Sequence, residues 1–424
     1  MNNSPIKSNS ILQKRIRRFK SIKRGYYSFI LLLSLYLISF ISPVIINSNA
    51  LVVYYANNEY NEGESFYDDN QNNIWDVGES FIDEHTYYFP ALSDLFGGIF
   101  YSKYFEAKYF GQDSIRGKVR YGEPNYRILQ RSFEKENFGN YVIMPIYPYD
   151  PIEEVLSERD ELYIDSNNNG KWDQEETFLD ENNNGKVDTF YPATFPDSIN
   201  LLGTDNQGRD VLARLVYGFN ITLTFALFIT LFAYTIGIIV GGSLGYFGGR
   251  TDLYGLRLIE IFSAMPFLFL MMILSQILKP NIFIMAMMYV FIVGWITISW
   301  YVRGEFYREK AKDYVSAAVS MGQSTWKIMF KHILPNALTP IITFAPFAII
   351  TYIFSLVALD FLGFGLQPPT PSWGDLLNQG RNNLQYWHLI LIPLTSIAST
   401  LFLITFIGEA IREAFDPKIY SRLR

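Results

Sequence analysis

Six stretches of the chain are almost continuously apolar: residues 26–47, 219–246, 258–278, 281–302, 337–359 and 387–409. A helix needs about 20 apolar residues to cross the hydrocarbon core of a bilayer, because there the backbone must satisfy its own hydrogen bonds. The pattern therefore predicts an all-α polytopic membrane protein with about six spans. Two polar segments interrupt it. Residues 48–218 form one, at about 170 residues long enough for a small domain of its own. The other, 303–335, leads into an amphipathic stretch, Asp313 to Pro340, that reads as two short helices. Gly322 can stop the first in the left-handed conformation, Ser324 can cap the second, and Pro335 lies near its end. Two short helices held between membrane spans make a rigid knob, suited to docking on another protein.

Composition agrees with a membrane protein that carries a soluble part. Of 424 residues, 49% are hydrophobic and only 18% charged. The absence of cysteine excludes disulfides, thiolate metal sites and a cysteine nucleophile. His85, His332 and His388 lie far apart in sequence, and no glycine loop ends in Lys-Ser/Thr to cradle a phosphate. The chain is therefore expected neither to catalyse nor to hydrolyse ATP.

Charge adds orientation. Residues 51–200 hold 29 of the 41 acids and 11 of the 35 bases, about −18, which leaves about +12 for the rest of a chain with net charge −6. The bases cluster in three places: Lys14, Arg15, Arg17, Arg18, Lys20, Lys23 and Arg24 before the first span; Arg303, Arg308, Lys310, Lys312, Lys327 and Lys331 in the 303–335 loop; and Arg412, Lys418, Arg422 and Arg424 at the C-terminus. The positive-inside rule puts all three in the cytoplasm and 48–218 outside. The expected organisation is a basic tail (1–25), a first span (26–47), an extracytoplasmic insertion (48–218), a five-helix core (219–410) and a cytoplasmic tail (411–424). Ser48-Asn49-Ala50 has the small residues of a signal-peptide cleavage site, but the preceding apolar run is too long for one, so an uncleaved span is expected. No soluble fold holds the bases as a patch, so nucleic acid is not an expected partner.

The insertion repeats one pattern. Asp68, Asn70, Asn72, Asp76 and Glu79 are spaced as Asp165, Asn167, Asn169, Asp173 and Glu176 are, with Gly170 at the sixth position of the second copy. A third, partial copy supplies Asp180, Asn182, Asn184 and Asp188 around Gly185, with Tyr191 in place of the last acid. Oxygens at positions 1, 3, 5, 9 and 12 are what a calcium loop requires. These loops resemble the EF-hand and dockerin-type loops of secreted proteins, which implies bound Ca2+ in the insertion with a structural role. The bland alternative is a solvated turn repeat. Trp75, Phe81, Trp172 and Phe178 are candidates for a small core, and Tyr87, Tyr88, Phe89, Phe100, Tyr101, Tyr104 and Phe105 for further packing.

Four strings carry a resemblance. Ala317-Ala318, Gly322 and Ile333-Leu334-Pro335 have the spacing of the loop by which ABC-importer permeases dock on their ATPase, although Ser316 stands where Glu is usual. Leu202–Gly218, containing Gly203-Thr204-Asp205 and Gly208-Arg209-Asp210, resembles a segment of the dipeptide, oligopeptide and nickel permeases. So do Gly245–Asp252 with Ala264-Met265-Pro266, and Leu362–Asp375. The chain from about residue 200 is thus similar to a C-type permease subunit of that family. The resemblance implies the type I importer permease fold and a pathway shared with a second permease subunit. It also implies two cytoplasmic ABC ATPase subunits, an extracytoplasmic substrate-binding protein, a bacterial inner membrane and, as leading cargo, peptides. It assigns ATPase coupling to Ala317, Ala318, Gly322, Ile333, Leu334 and Pro335. It does not cover 51–200.

Two local readings accompany it. Asp205, Arg209, Asp210 and Arg214 are expected on the charged face of an interfacial helix whose apolar face is Val211, Leu212, Leu215 and Val216. Gly237, Gly241, Gly242, Gly245, Gly248 and Gly249 read as a close helix-packing face. The spans hold almost no charge, which argues against an ion-driven secondary transporter. A membrane-anchored, calcium-binding surface protein would account for the insertion but not for the spacing around Gly322.

Overall fold

The computed structural model of the protein describes residues 11–55, 65–66, 81–82, 86–95, 125–136, 139–155 and 192–416. The chain divides into two compact units, one formed by residues up to Ser39 together with those from Leu215 onward, the other by Phe40–Arg214.

The first unit opens with α1 (Ile11–Ser21) and α2 (Lys23–Ser39). The apolar run 26–47 is longer than the helix it forms. Ser39 turns its hydroxyl back to the Tyr36 carbonyl (2.7 Å), which favours bending, and α2 stops there. At 17 residues α2 is about 26 Å long, slightly short of a full hydrocarbon core. Its aliphatic side chains, Leu31, Leu33 and Leu37 among them, are exposed as lipid-facing residues would be.

The second unit contains a one-turn helix α3 (Ser42–Ile45), strands β1 (Val52–Tyr55), β2 (Ser65–Phe66), β3 (Phe81–Ile82) and β4 (Thr86–Tyr88), helices α4 (Pro90–Leu95) and α5 (Tyr126–Glu136), and strand β5 (Tyr141–Ile143). Strands β2 and β3 pair antiparallel. Strand β1 lies between β4 and β5, antiparallel to both, with Val53 opposite Tyr88 and Val142. Alternation along β1 buries Val53 and Tyr55. Helix α5 buries Tyr126, Leu129 and Phe133 at helical spacing, and Phe133 stacks on Tyr55 at 5.5 Å. Of the aromatic residues expected to pack here, Tyr87 and Phe89 are instead exposed, because neighbouring strand residues point to opposite faces of so small a sheet. Phe100, Tyr101, Tyr104 and Phe105, and every proposed calcium ligand from Asp68 to Glu79 and from Asp165 to Asp188, lie outside the described residues.

The first unit resumes at Leu215 within α6 (Val211–Phe247), followed by α7 (Gly249–Ser263), α8 (Phe267–Leu278), α9 (Ile282–Lys310), α10 (Asp313–Ser320), α11 (Thr325–Phe361), α12 (Trp373–Asn382) and α13 (His388–Phe415). Among the described residues, α6, α9, α11 and α13 are long and apolar enough to cross a membrane. The predicted span 258–278 is not one straight helix: α7 and α8 meet at 71°. Pro266, with its fixed φ and no N–H, sits at the break. Helix α7 is amphipathic and carries Glu260, ion-paired to Arg257 at 2.6 Å, inside that predicted span.

Core packing joins α6, α8, α9, α11 and α12 through Phe225, Ile229, Met271, Met285, Tyr289, Ile353, Leu356 and Trp373. The glycine face of α6 lets it approach α9 closely. A Cβ at Gly241 would run into the Ser299 backbone, and one at Gly245 would lie 2.6 Å from the Arg303 carbonyl. Gly248 and Gly249 do not share this face: their φ values of 64° and 53° turn the chain between α6 and α7.

Candidate functional site: the knob between two spans

Helix α10 and the head of α11 form the knob. Helix α10 ends in a Schellman motif: Gly322 (φ 71°) returns its N–H to the Val319 carbonyl, and Gln323 returns its own to Ala318 at 3.2 Å. Ser324 has the extended backbone of an N-cap, but its hydroxyl makes no capping bond. Nor does Pro335 end the second helix. Residues Ile328–Ile333 form a π-helical turn, after which helix runs on to Phe361. The wider turn accommodates a proline that offers no N–H and crowds the carbonyl four residues back. The second half of the knob is therefore the leading end of a long span.

The six predicted coupling residues divide in two. Ala318 and Ile333 are buried with Val302, Phe306, Val315, Ile328 and Met329, and so join the two helices to α9, while Leu334 is half-buried against the same cluster. Ala317, Gly322 and Pro335 are exposed. The same surface presents Val319, Met321, Trp326 and Phe330, of which Met321 is 69% and Trp326 64% exposed, and the last two rings stack at 5.4 Å. These four side chains are not in the motif that points to the loop. Their only signal is an i, i+4 aromatic pair, which is equally frequent in cores.

Polar contacts brace the knob. Glu309 accepts from Lys312 (2.7 Å) and from the Tyr314 hydroxyl (2.8 Å), and the Asn336 amide reaches both Tyr314 (3.2 Å) and the His332 carbonyl (3.0 Å). His332 pairs with Gln323 at 2.7 Å, tying the turn to the span. Burial pushes the Tyr314 hydroxyl above its usual range, and its bond to Glu309 acts in the same direction, so it stays a donor. Beside the knob, Arg303 clamps Asp252 with two bonds of 2.5 and 2.6 Å while Tyr307 adds a third at 2.7 Å. Asp252 comes from the Gly245–Asp252 string, whose role is thus to tie the α6–α7 turn to α9.

The other strings are structural clamps too. Asp205, Arg209, Asp210 and Arg214 are all buried, not displayed on an interfacial helix. Asp205 holds Arg209 (2.6 Å) and Arg214 (3.4 Å), and Arg214 also donates to the Pro151 carbonyl at 3.0 Å. Asp210 accepts from Tyr147 (2.6 Å), Asn200 (2.9 Å) and the Ala213 amide (2.8 Å). Burial is tolerated here because Asp205 is matched by two guanidinium groups and Asp210 is hydrogen-bonded by neutral donors, Tyr147 among them, from outside the turn. The Leu362–Asp375 string closes on buried Asp360 at the end of α11, which accepts from the Leu366 amide (2.7 Å) and the Ser372 hydroxyl. Trp373 donates its indole N–H to the Leu215 carbonyl at 2.9 Å. The helix α12 starts at Trp373, capped by Ser372, so the non-helical stretch is shorter than the string. No group of three or more His, Asp or Glu side chains suited to a metal occurs among the described residues.

A sequence model described as "Binding-protein-dependent transport system inner membrane component" matches residues 233–420. The peptidoglycan transport system permease protein YejE of Agrobacterium fabrum is 34% identical over 407 residues, covering 96% of this chain and 93% of its own. The inner membrane ABC transporter permease protein YejE of Escherichia coli is 40% identical, over 70% of this chain and 85% of its own. The oligopeptide permease OppC of Haemophilus influenzae is 34% identical, over 54% and 78%. An inward-facing structure of the MetNI methionine ABC transporter covers 48% of this chain and 97% of its own, at a TM-score of 0.39 and 19% identity. Relatedness over nearly the whole length, together with the spans and the knob between two of them, makes this chain a multi-pass inner-membrane permease of the binding-protein-dependent ABC transport family.

Proposed function

We propose that this chain forms half of the translocation pathway of a peptide importer and that the knob transmits ATP-driven motion to its spans. The observation that carries this is the exposed apolar surface at Val319, Met321, Trp326 and Phe330. It sits on a knob braced by Glu309, Tyr314 and Asn336 and continuous with span α11. A braced, apolar, exposed projection is a docking surface. Two ATPase subunits are its partners, one on this chain and one on a second, related permease subunit. Ala317, Gly322 and Pro335 touch the ATPase, whereas Ala318, Ile333 and Leu334 hold the knob in shape. Coupling then requires that the inward- and outward-open states differ in affinity for both ATP and the loaded binding protein.

Both termini and the knob face the cytoplasm, and the second unit meets the external binding protein. The cargo is peptide in nature, the chemistry common to relatives named for peptidoglycan, oligopeptide and dipeptide transport. Calcium at Asp68–Glu79 and Asp165–Glu176 folds the insertion. Terbium luminescence sensitised by Trp75 and Trp172 tests this, and loss of signal on Asp68→Ala with Asp165→Ala is the expected result.

The deciding experiment purifies the tagged chain in mild detergent and reconstitutes what accompanies it. ATPase and a second permease should co-purify, and peptide-loaded binding protein should stimulate ATP hydrolysis. A chain free of any ATPase sinks the reading.

A further inference from the structure

Helix α1 presents two different faces. Arg15 and Arg18 are half-buried against α13: Arg15 lies 4.9 Å over the Phe415 ring and donates to Thr339 at 3.1 Å, and Arg18 pairs with Glu413 at 3.8 Å. Arg24, at the start of α2, pairs with Glu409 at 3.3 Å. These contacts use the acids on the neighbouring helix. Lys14, Arg17 and Lys20 of α1 and Lys23 at the start of α2 are exposed instead, and none has an ion-pair or hydrogen-bond partner among the described residues.

The order of exposed residues fixes the level of this face. Along the chain come the four cations, then Tyr27 at 63% exposure, then the exposed run Phe29, Ile30, Leu31 and Leu33. Cation, then tyrosine, then aliphatic is the order met on passing from headgroup through interface into acyl chains. Phe19 packs edge-on against Tyr26 (6.4 Å) and Phe29 (6.0 Å), holding α1 at that boundary. Ile16, exposed among the bases, adds the apolar contact of an interfacial helix.

We propose that Lys14, Arg17, Lys20 and Lys23 form a binding site for anionic phospholipid headgroups. The site depends on membrane insertion and not on the identity of the cargo. Each charge at an anionic surface is worth about fivefold in affinity, so losing all four should weaken binding by roughly two to three orders of magnitude. The test is native mass spectrometry of the full chain, purified from membranes in mild detergent and titrated with phosphatidylglycerol or phosphatidylcholine. The wild type should retain phosphatidylglycerol preferentially. K14Q/R17Q/K20Q/K23Q should lose that preference, and the charge-retaining K14R/R17K/K20R/K23R should keep it. Equal phosphatidylglycerol retention by the glutamine variant would overturn the proposal. So would displacement of the lipid by millimolar inorganic phosphate, or loss of a protein subunit from the glutamine variant with lipid binding unchanged.

Discussion

Gly322→Asp separates docking from folding, because the structure contains its own control. Gly322 has φ 71° and Gly139, in the second unit, has φ 85°, and a Cβ built at either meets nothing within 4 Å. Both substitutions therefore bring the same backbone strain, about 1 kcal/mol for a residue that tolerates the left-handed region. They differ in what lies outside the chain. If Gly322 is pressed against an ATPase, its new carboxylate loses water without a partner, which costs at least the about 1–3 kcal/mol of an unpaired neutral polar group. The strain is shared by free and docked permease, so only the desolvation cost enters the affinity, at least roughly a 5- to 150-fold loss. The assay is titration of purified ATPase onto the permease in nanodiscs, with peptide-driven ATP hydrolysis as the second readout. Gly139→Asp should leave the ATPase affinity unchanged. Equal affinity for wild type and Gly322→Asp, or an equal loss in the two variants, would refute the docking role.

Trp326→Ala, at an exposed site, should alter thermal stability by about 0.5 kcal/mol or less yet cost about 2 kcal/mol in the same ATPase titration. Arg214→Met leaves Asp205 under-compensated in a fully buried site and should cost about 3–5 kcal/mol, seen as faster proteolysis of the second unit. Gly241→Val forces α6 off the Ser299 backbone and should lower the thermal midpoint by an amount equivalent to about 1–3 kcal/mol or more. Burial pushes the Asp210 carboxyl above its ordinary range, so its contribution favours the fold below the unfolded-state value and is lost as pH rises through the folded one. Asp210→Asn should flatten that part of a stability-against-pH curve measured by denaturant unfolding.

The apolar runs alone determined that the chain is helical and membrane-embedded, since lipid leaves the backbone no other way to satisfy its hydrogen bonds. They also located α6, α9, α11 and α13, although each helix runs past its apolar run at one end, by 8, 8, 12 and 6 residues. Gly322 was legible as a helix stop because positive φ is a local demand that one residue type meets cheaply. Hydropathy could not show that 258–278 bends by 71° at Pro266, or that α11 runs through Pro335 by way of a π turn. A proline breaks a helix or is absorbed according to what packs around the freed carbonyl. The burial of Asp205, Arg209, Asp210 and Arg214 was equally hidden. In sequence they read as a charged surface, and only tertiary contacts with Tyr147, Pro151 and Asn200 make them interior. The same holds at the knob. Spacing named Ala318 and Ile333 alongside Ala317 and Gly322, but packing decided that the first two face inward and that Met321 and Trp326 complete the surface. Composition and periodicity record what a residue is; which side of it meets solvent, lipid or neighbour is set by chain segments far away in sequence.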